Sequence, residues 1–121
     1  MEKLTYQEEE AMLILWRLKK AFVRDILDQY PEPKPPYTTL ASTVKNLERK
    51  EYVTGRKYGN IFEYTPVVSE KEYKKQFMSG FVKDYFSDSY SNLVTFFARE
   101  HRISADELKE IIRLIENQEN P

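Results

Sequence analysis

Apolar positions along the chain change their period twice, and the changes divide it into three helices, a hairpin and three further helices. Met12, Leu15 and Trp16 recur at helical spacing. Ahead of them stand Thr5 and Glu8, three residues apart, each able to satisfy the other's free backbone N–H. This predicts a helix running to about Leu18, with Glu8, Glu9 and Arg17 on its wetter side. A second helix, from near Phe22, carries Val23, Ile26, Leu27 and Tyr30 as one stripe facing a core. The stretch PEPKPP, residues 31 to 36, stops it, because proline fixes φ and removes a backbone donor. It reads as a stiff connector rather than as bait for a proline-recognising partner. A third helix follows from Thr38 or Thr39 to about Lys50, with Leu40, Val44 and Leu47 inward.

The period then shortens. YVTGRKYGNIFEYTP holds two β-prone runs, Tyr52 to Tyr58 and Ile61 to Thr65, joined by Gly59-Asn60, a turn pair that accepts positive φ. Phe62 and Tyr64 share one face of the second run, and a hairpin this small must pack a face on the helices before it. From Ser69 the helical period returns. Ser69 with Glu72 repeats the starting signal, and Tyr73, Phe77, Phe81 and Tyr85 form a stripe every four residues. SDSYSN, 87 to 92, breaks that stripe; Leu93, Val94, Phe96 and Phe97 make a short apolar helix, and Ser104 with Glu107 opens a last one bearing Leu108, Ile111, Ile112 and Ile115. No internal repeat is present.

The expected fold class is mainly α with a small antiparallel β hairpin: a winged helix-turn-helix, residues 1–68, followed by a three-helix segment, residues 69–121. In such a domain the third helix enters the DNA major groove and the hairpin, or wing, touches the backbone nearby. At about 100° per residue, the outer face of that helix is centred on Thr38, Ser42, Lys45 and Arg49, with Thr39 and Asn46 on its flanks and no acid on its centre line. Lys45 and Arg49 suit phosphates or guanine, Asn46 suits adenine, and the short hydroxyl residues allow close approach. On the wing, Arg56, Lys57, Tyr58 and Asn60 put bases and hydrogen-bonding groups at a turn tip. The stripes of the C-terminal segment, Phe77, Phe81, Tyr85, Leu93, Val94, Phe96, Phe97, Leu108, Ile111, Ile112 and Ile115, are too apolar to face water. A second copy of the chain would cover them, and a dimer presents two recognition helices to two half-sites of a palindrome.

Composition narrows the function classes. The 121 residues include no cysteine, one histidine and three isolated glycines. Thiolate metal sites, thiol nucleophiles and glycine-rich phosphate loops are thereby excluded, and neither a cofactor, a metal site nor an enzyme activity is expected. No apolar run reaches the roughly 20 residues that span a bilayer, and the acidic start MEKLTYQEEE is unlike a signal peptide. A cytoplasmic chain without membrane insertion is expected. The formal net charge of −1 hides a local surplus: from Lys34 to Lys57 stand six bases, Lys34, Lys45, Arg49, Lys50, Arg56 and Lys57, against Glu48 and Glu51. Two other readings stay open, a winged helix that docks on protein through the same polar face, and a regulator gated by a small molecule among the C-terminal aromatics.

Several segments together resemble one family. LTYQEEEAMLILW (4–16), FVRDILDQY (22–30), TTLASTVKNLERKEYV (38–53), IFEYTPVVSEKEY (61–73), SNLVTFFARE (91–100) and ISADELKEI (103–111) are similar to the bacterial penicillinase repressors, which include methicillin-resistance regulators and copper-responsive repressors. The resemblance implies a dimeric operator-binding repressor with a helical dimerisation segment. It departs from the copper branch, whose C-terminal cysteines are missing here. In the β-lactam branch a membrane-bound sensor metalloprotease, or a protease downstream of it, triggers cleavage at an Asn-Phe bond. The aligned pair here is Phe96-Phe97, matching at the second position only, so the resemblance makes that bond a candidate for cleavage.

Overall fold

A computed structural model describes residues 1–119; the last two residues of the expected second segment lie outside it. The elements are α1 (Tyr6–Leu18), β1 (Ala21–Phe22), α2 (Val23–Asp28), α3 (Tyr37–Arg49), β2 (Val53–Tyr58), β3 (Ile61–Pro66), α4 (Glu70–Tyr85), α5 (Tyr90–Arg99) and α6 (Ala105–Glu119). Two compact units divide after Lys74, so the first turn of α4 belongs to the first. No helix among the described residues is long and apolar enough to cross a membrane.

In the first unit α1 begins with the reciprocal bonds its sequence calls for: the Glu8 N–H donates to Thr5 Oγ1 at 3.2 Å and the Thr5 N–H to Glu8 Oε1 at 2.9 Å. Met12 and Leu15 from α1, Ile26 from α2, and Leu40, Val44 and Leu47 from α3 are removed from water. Burial of each such side chain contributes roughly 1.5–3 kcal/mol. The sheet closes the other side of this core. β2 pairs antiparallel with β3 from Val53↔Pro66 to Tyr58↔Ile61, with Val53 and Tyr64 buried. The tight turn between them places Gly59 at φ +61°, where a side chain would be strained. Gly55 is needed for another reason: a Cβ there would stand 3.0 Å from the Tyr64 ring and 3.2 Å from Glu48 Oε2.

The sheet has three strands, not the two of a plain hairpin. Ala21 and Phe22 pair with Tyr64 and Glu63, giving the order β1-β3-β2. A two-residue strand shows no alternation, so it is visible only from its partner. Its second residue also starts α2, where the Phe22 N–H donates to Asp25 Oδ2 at 2.9 Å. α2 itself is shorter than its apolar stripe, because Tyr30 is buried from the turn that follows.

At the end of this unit, Trp16 Nε1 donates to the Val68 carbonyl at 2.8 Å, and its ring lies 5.4 Å from that of Tyr73 in the first turn of α4. The Tyr73 hydroxyl donates to Glu9 Oε2. Burial first and then the Glu9 carboxylate push that hydroxyl far above the ordinary tyrosine range, so it keeps its proton.

The second unit is a chain of rings. Phe77 and Phe81 stack at 6.4 Å, Phe81 meets Phe86 at 5.8 Å, Phe86 meets Phe96 edge-on at 5.7 Å, and Phe96 meets Phe97 at 5.4 Å. The break after α4 is tighter than the SDSYSN stretch suggests: Ser87 and Asp88 take positive φ, and Ser89 already caps α5 through the Asn92 N–H. Ser104 and Glu107 cap α6 reciprocally at 2.9 and 3.1 Å.

Candidate nucleic-acid interface

α3 owes its register to Leu40, Val44 and Leu47, which turn one side into the core and leave the opposite side to solvent. Thr38, Thr39, Ser42, Lys45, Asn46 and Arg49 are all exposed on it. Short hydroxyls occupy its N-terminal half and bases its C-terminal half. Arg56, Lys57, Tyr58 and Asn60 are likewise exposed along β2 and the wing turn. Helix and wing meet through Lys45, whose ammonium lies 4.6 Å from the centroid of the Phe62 ring on β3 and 3.4 Å from Glu48 Oε1. The Tyr64 hydroxyl first, and Glu48 after it, hold the Lys45 amine above its usual range, so it is charged at neutral pH. Arg49 stands 3.8 Å from Glu2. Both pairs are exposed, and such pairs are worth about 0–1 kcal/mol, little enough for a phosphate to displace the carboxylate.

Two of the six bases in the local surplus are spent elsewhere. Lys50 faces inward: its Nζ lies 2.5 Å from Glu8 Oε1, the side chains being 8% and 5% exposed, and it also donates to the Lys3 carbonyl at 3.0 Å. Glu8, expected on the wet side of α1, is therefore a buried residue, its charge neutralised from 42 positions away. Burial alone would raise its pKa, but the bonds from Lys50 and Thr5 outweigh it and hold the carboxyl below the usual range. Lys34 donates to the carbonyls of Leu27, Asp28 and Tyr30 at 3.2, 3.1 and 2.7 Å, closing the end of α2. Sequence spacing gives no sign of either role, since both partners are set by the tertiary fold.

One base outside the expected set sits beside α3. The exposed Arg24 of α2 lays its guanidinium over the ring of Tyr37, the first residue of α3, at 5.2 Å from the centroid. At the wing Arg56 does the same with Tyr58, at 5.3 Å.

The C-terminal stripes divide by exposure. Phe81, Leu93 and Leu108 are half-buried, whereas Phe77, Tyr85, Val94, Phe96, Phe97, Ile111, Ile112 and Ile115 are exposed. Met78, Tyr90 and Leu114 join them, and Val82 is the one fully buried hydrophobic residue among the described positions of the second unit. Phe96 and Phe97 are 48% and 37% exposed in the middle of α5.

Three helices, a wing and a polar, basic outer face on the third helix define a winged helix-turn-helix protein. Residues 4–117 match the family described as penicillinase repressor. The chain belongs to that family and is by class a transcriptional repressor, not an enzyme. The methicillin resistance regulatory protein MecI of Staphylococcus aureus (strain N315) is 25% identical over 120 residues, covering 95% of this chain and 98% of its own length. The penicillinase repressor of Bacillus licheniformis is 22% identical over 118 residues, covering 93% and 89%. Among solved structures, the adhesin competence repressor AdcR of Streptococcus pyogenes is 15% identical with a TM-score of 0.45, covering 98% of this chain and 81% of that one.

Proposed function

We propose that this repressor acts in the cytoplasm as a homodimer on a palindromic DNA operator, residues 1–68 binding DNA and residues 69–121 holding the dimer. The observation that carries the reading is the outer face of α3: six exposed residues able to meet phosphates and base edges, with no carboxylate on the centre line and the wing's bases adjoining. Thr38, Thr39, Ser42, Lys45, Asn46 and Arg49 face the major groove, and Arg56, Lys57, Tyr58 and Asn60 meet the backbone. The exposed aromatic and branched side chains of α4, α5 and α6 support the dimer, since a patch of that kind is covered in a soluble protein. Titration against random duplex at falling salt tests the reading. Binding that strengthens steeply supports it; a flat response refutes it and makes the same face a protein-docking surface.

Release from the operator follows from cutting the Phe96-Phe97 bond, by a membrane-bound sensor metalloprotease or a protease downstream of it. The likeness to the methicillin resistance regulators and the exposure of both rings support this step. Phe96 stands where that branch carries asparagine, so the cut requires a protease tolerant of an aromatic residue before the bond. Incubation with the activated sensor protease should yield two fragments by mass spectrometry; intact chain alone refutes the step.

A further inference from the structure

The bases around α3 differ in how many of their donors are already occupied. Lys50 is held in a buried pair with Glu8 and Lys34 by three carbonyls, whereas Lys45 and Arg49 make only exposed pairs, with Glu48 at 3.4 Å and Glu2 at 3.8 Å. Arg24 has a different surrounding. Among the described residues no carboxylate pairs with it, and what holds it is the face of the Tyr37 ring. Among the described residues no acceptor takes a hydrogen bond from its side chain, so while the ring restrains the guanidinium its N–H groups stay open for a bidentate acceptor.

Its position matters as much as its freedom. Tyr37 opens α3, and by helical arithmetic it lies about 110° from the centre of the groove-facing side, on the flank shared with Ala41 and Glu48. Arg24 comes from the helix before, the one that crosses the DNA backbone in helix-turn-helix docking. A cation on that flank, at the N-terminal end of the recognition helix, faces a phosphate and not a base edge.

We propose that Arg24 is a further DNA-contacting residue, a phosphate clamp at the N-terminal end of α3, and that the Tyr37 ring is its positioning residue. The wing carries the counterpart, Arg56 over Tyr58. Two arginine–tyrosine cation–π contacts thus serve one winged helix, the first from α2 and α3, the second from β2. The clamp fixes register and affinity and carries no sequence preference, because phosphates are the same at every step.

The inference rests on the DNA-binding reading, and the test separates the two. Affinity of the full chain is measured against operator and random duplex over a salt series for the wild type, Arg24→Ala, Arg24→Lys, Tyr37→Phe, Tyr37→Leu and the double variant Arg24→Ala/Tyr37→Leu. Arg24→Ala should weaken both duplexes by about tenfold alike and lower the salt slope by about one. Arg24→Lys should keep the slope and lose part of the affinity, since an ammonium replaces the charge but not the planar fork. Tyr37→Phe keeps the ring and should bind as the wild type does. Tyr37→Leu should weaken binding when Arg24 is present and add nothing when Arg24 is alanine. Both residues are exposed, so melting temperatures should stay near wild type, and a variant that melts early is replaced by its conservative partner. If wild type binds steeply with salt while Arg24→Ala keeps its slope, the clamp is overturned and the DNA reading stands. If wild type itself shows no salt dependence, both fall. Equal losses for Tyr37→Leu in both backgrounds overturn the positioning role alone.

Discussion

Replacing Lys50 with methionine removes one member of a buried ion pair and leaves the other behind. The Glu8 carboxylate, in a residue only 4% exposed, would then keep just the Thr5 N–H as a partner, and the Lys3 carbonyl would lose its donor. Breaking a pair in this way costs roughly 3–5 kcal/mol, because the remaining charge stays out of water uncompensated. Whole domains are stable by about 5–15 kcal/mol, so Lys50→Met consumes much of the margin of the first unit. At about 4–8 °C per kcal/mol for a domain of this size, even a 3 kcal/mol loss lowers the melting temperature by roughly 12–24 °C. Trp16, the sole tryptophan, is part of the same unit and reports its unfolding by fluorescence in urea. The double variant Glu8→Gln/Lys50→Met removes both charges and should recover to within about 1 kcal/mol of wild type. A single variant costing under about 1 kcal/mol, or a double variant as unstable as the single, would refute the buried-pair reasoning. The DNA salt slope of folded Lys50→Met should equal that of wild type; a slope lower by about one would return Lys50 to the DNA face.

Acid should act through the same pair. The folded Glu8 carboxyl lies below its ordinary value of 4.5, so its stabilisation is complete above that value and is lost as pH falls through the lower folded value; urea midpoints of Glu8→Gln should show a shallower decline on acidification than wild type. Lys45→Ala and Arg49→Ala should each lower the salt slope of DNA binding by about one, measured by fluorescence anisotropy, and unchanged slopes in both would place the groove face elsewhere. Gly55→Ala forces a Cβ to within 3.0 Å of the Tyr64 ring and should cost about 1–3 kcal/mol by thermal melting; an unchanged midpoint would show that the ring yields freely. Ile112→Asp, on the exposed stripe of α6, should raise the dimer dissociation constant at least about tenfold in sedimentation equilibrium, whereas an unchanged constant would exclude that stripe from the interface.

What the sequence makes legible here is local. Thr5 with Glu8 marks the start of α1 because both bonds lie within one helical turn, and the face of α3 follows from its apolar residues at a spacing of 3.6. Gly59-Asn60 fixes the turn because it accepts the backbone the turn requires. The features hidden from such a reading are tertiary. Ala21-Phe22 becomes a strand only because Tyr64 and Glu63 lie alongside. Glu8 shows a helix-starting signal and nothing of its partner 42 residues on, so it reads as a wet carboxylate. Arg24 and Tyr37 belong to separate helices with the proline connector between them, and neither residue type at that separation marks a stack. The outer face of α3 was therefore open to sequence reasoning, while its flank was not.

Lys34 bears on how much freedom binding must remove. Its three bonds fasten the middle of the proline connector back onto the last residues of α2 and the turn after it, so the α2 side of the connector is held before any ligand arrives. Prolines have already narrowed the backbone of this turn in the unfolded chain, and the ammonium narrows it again in the folded one. Less conformational entropy of this connector then remains to be lost if a partner fixes it. Lys34 thus serves the exposed face of α3 indirectly, by bracing the segment that leads into that helix.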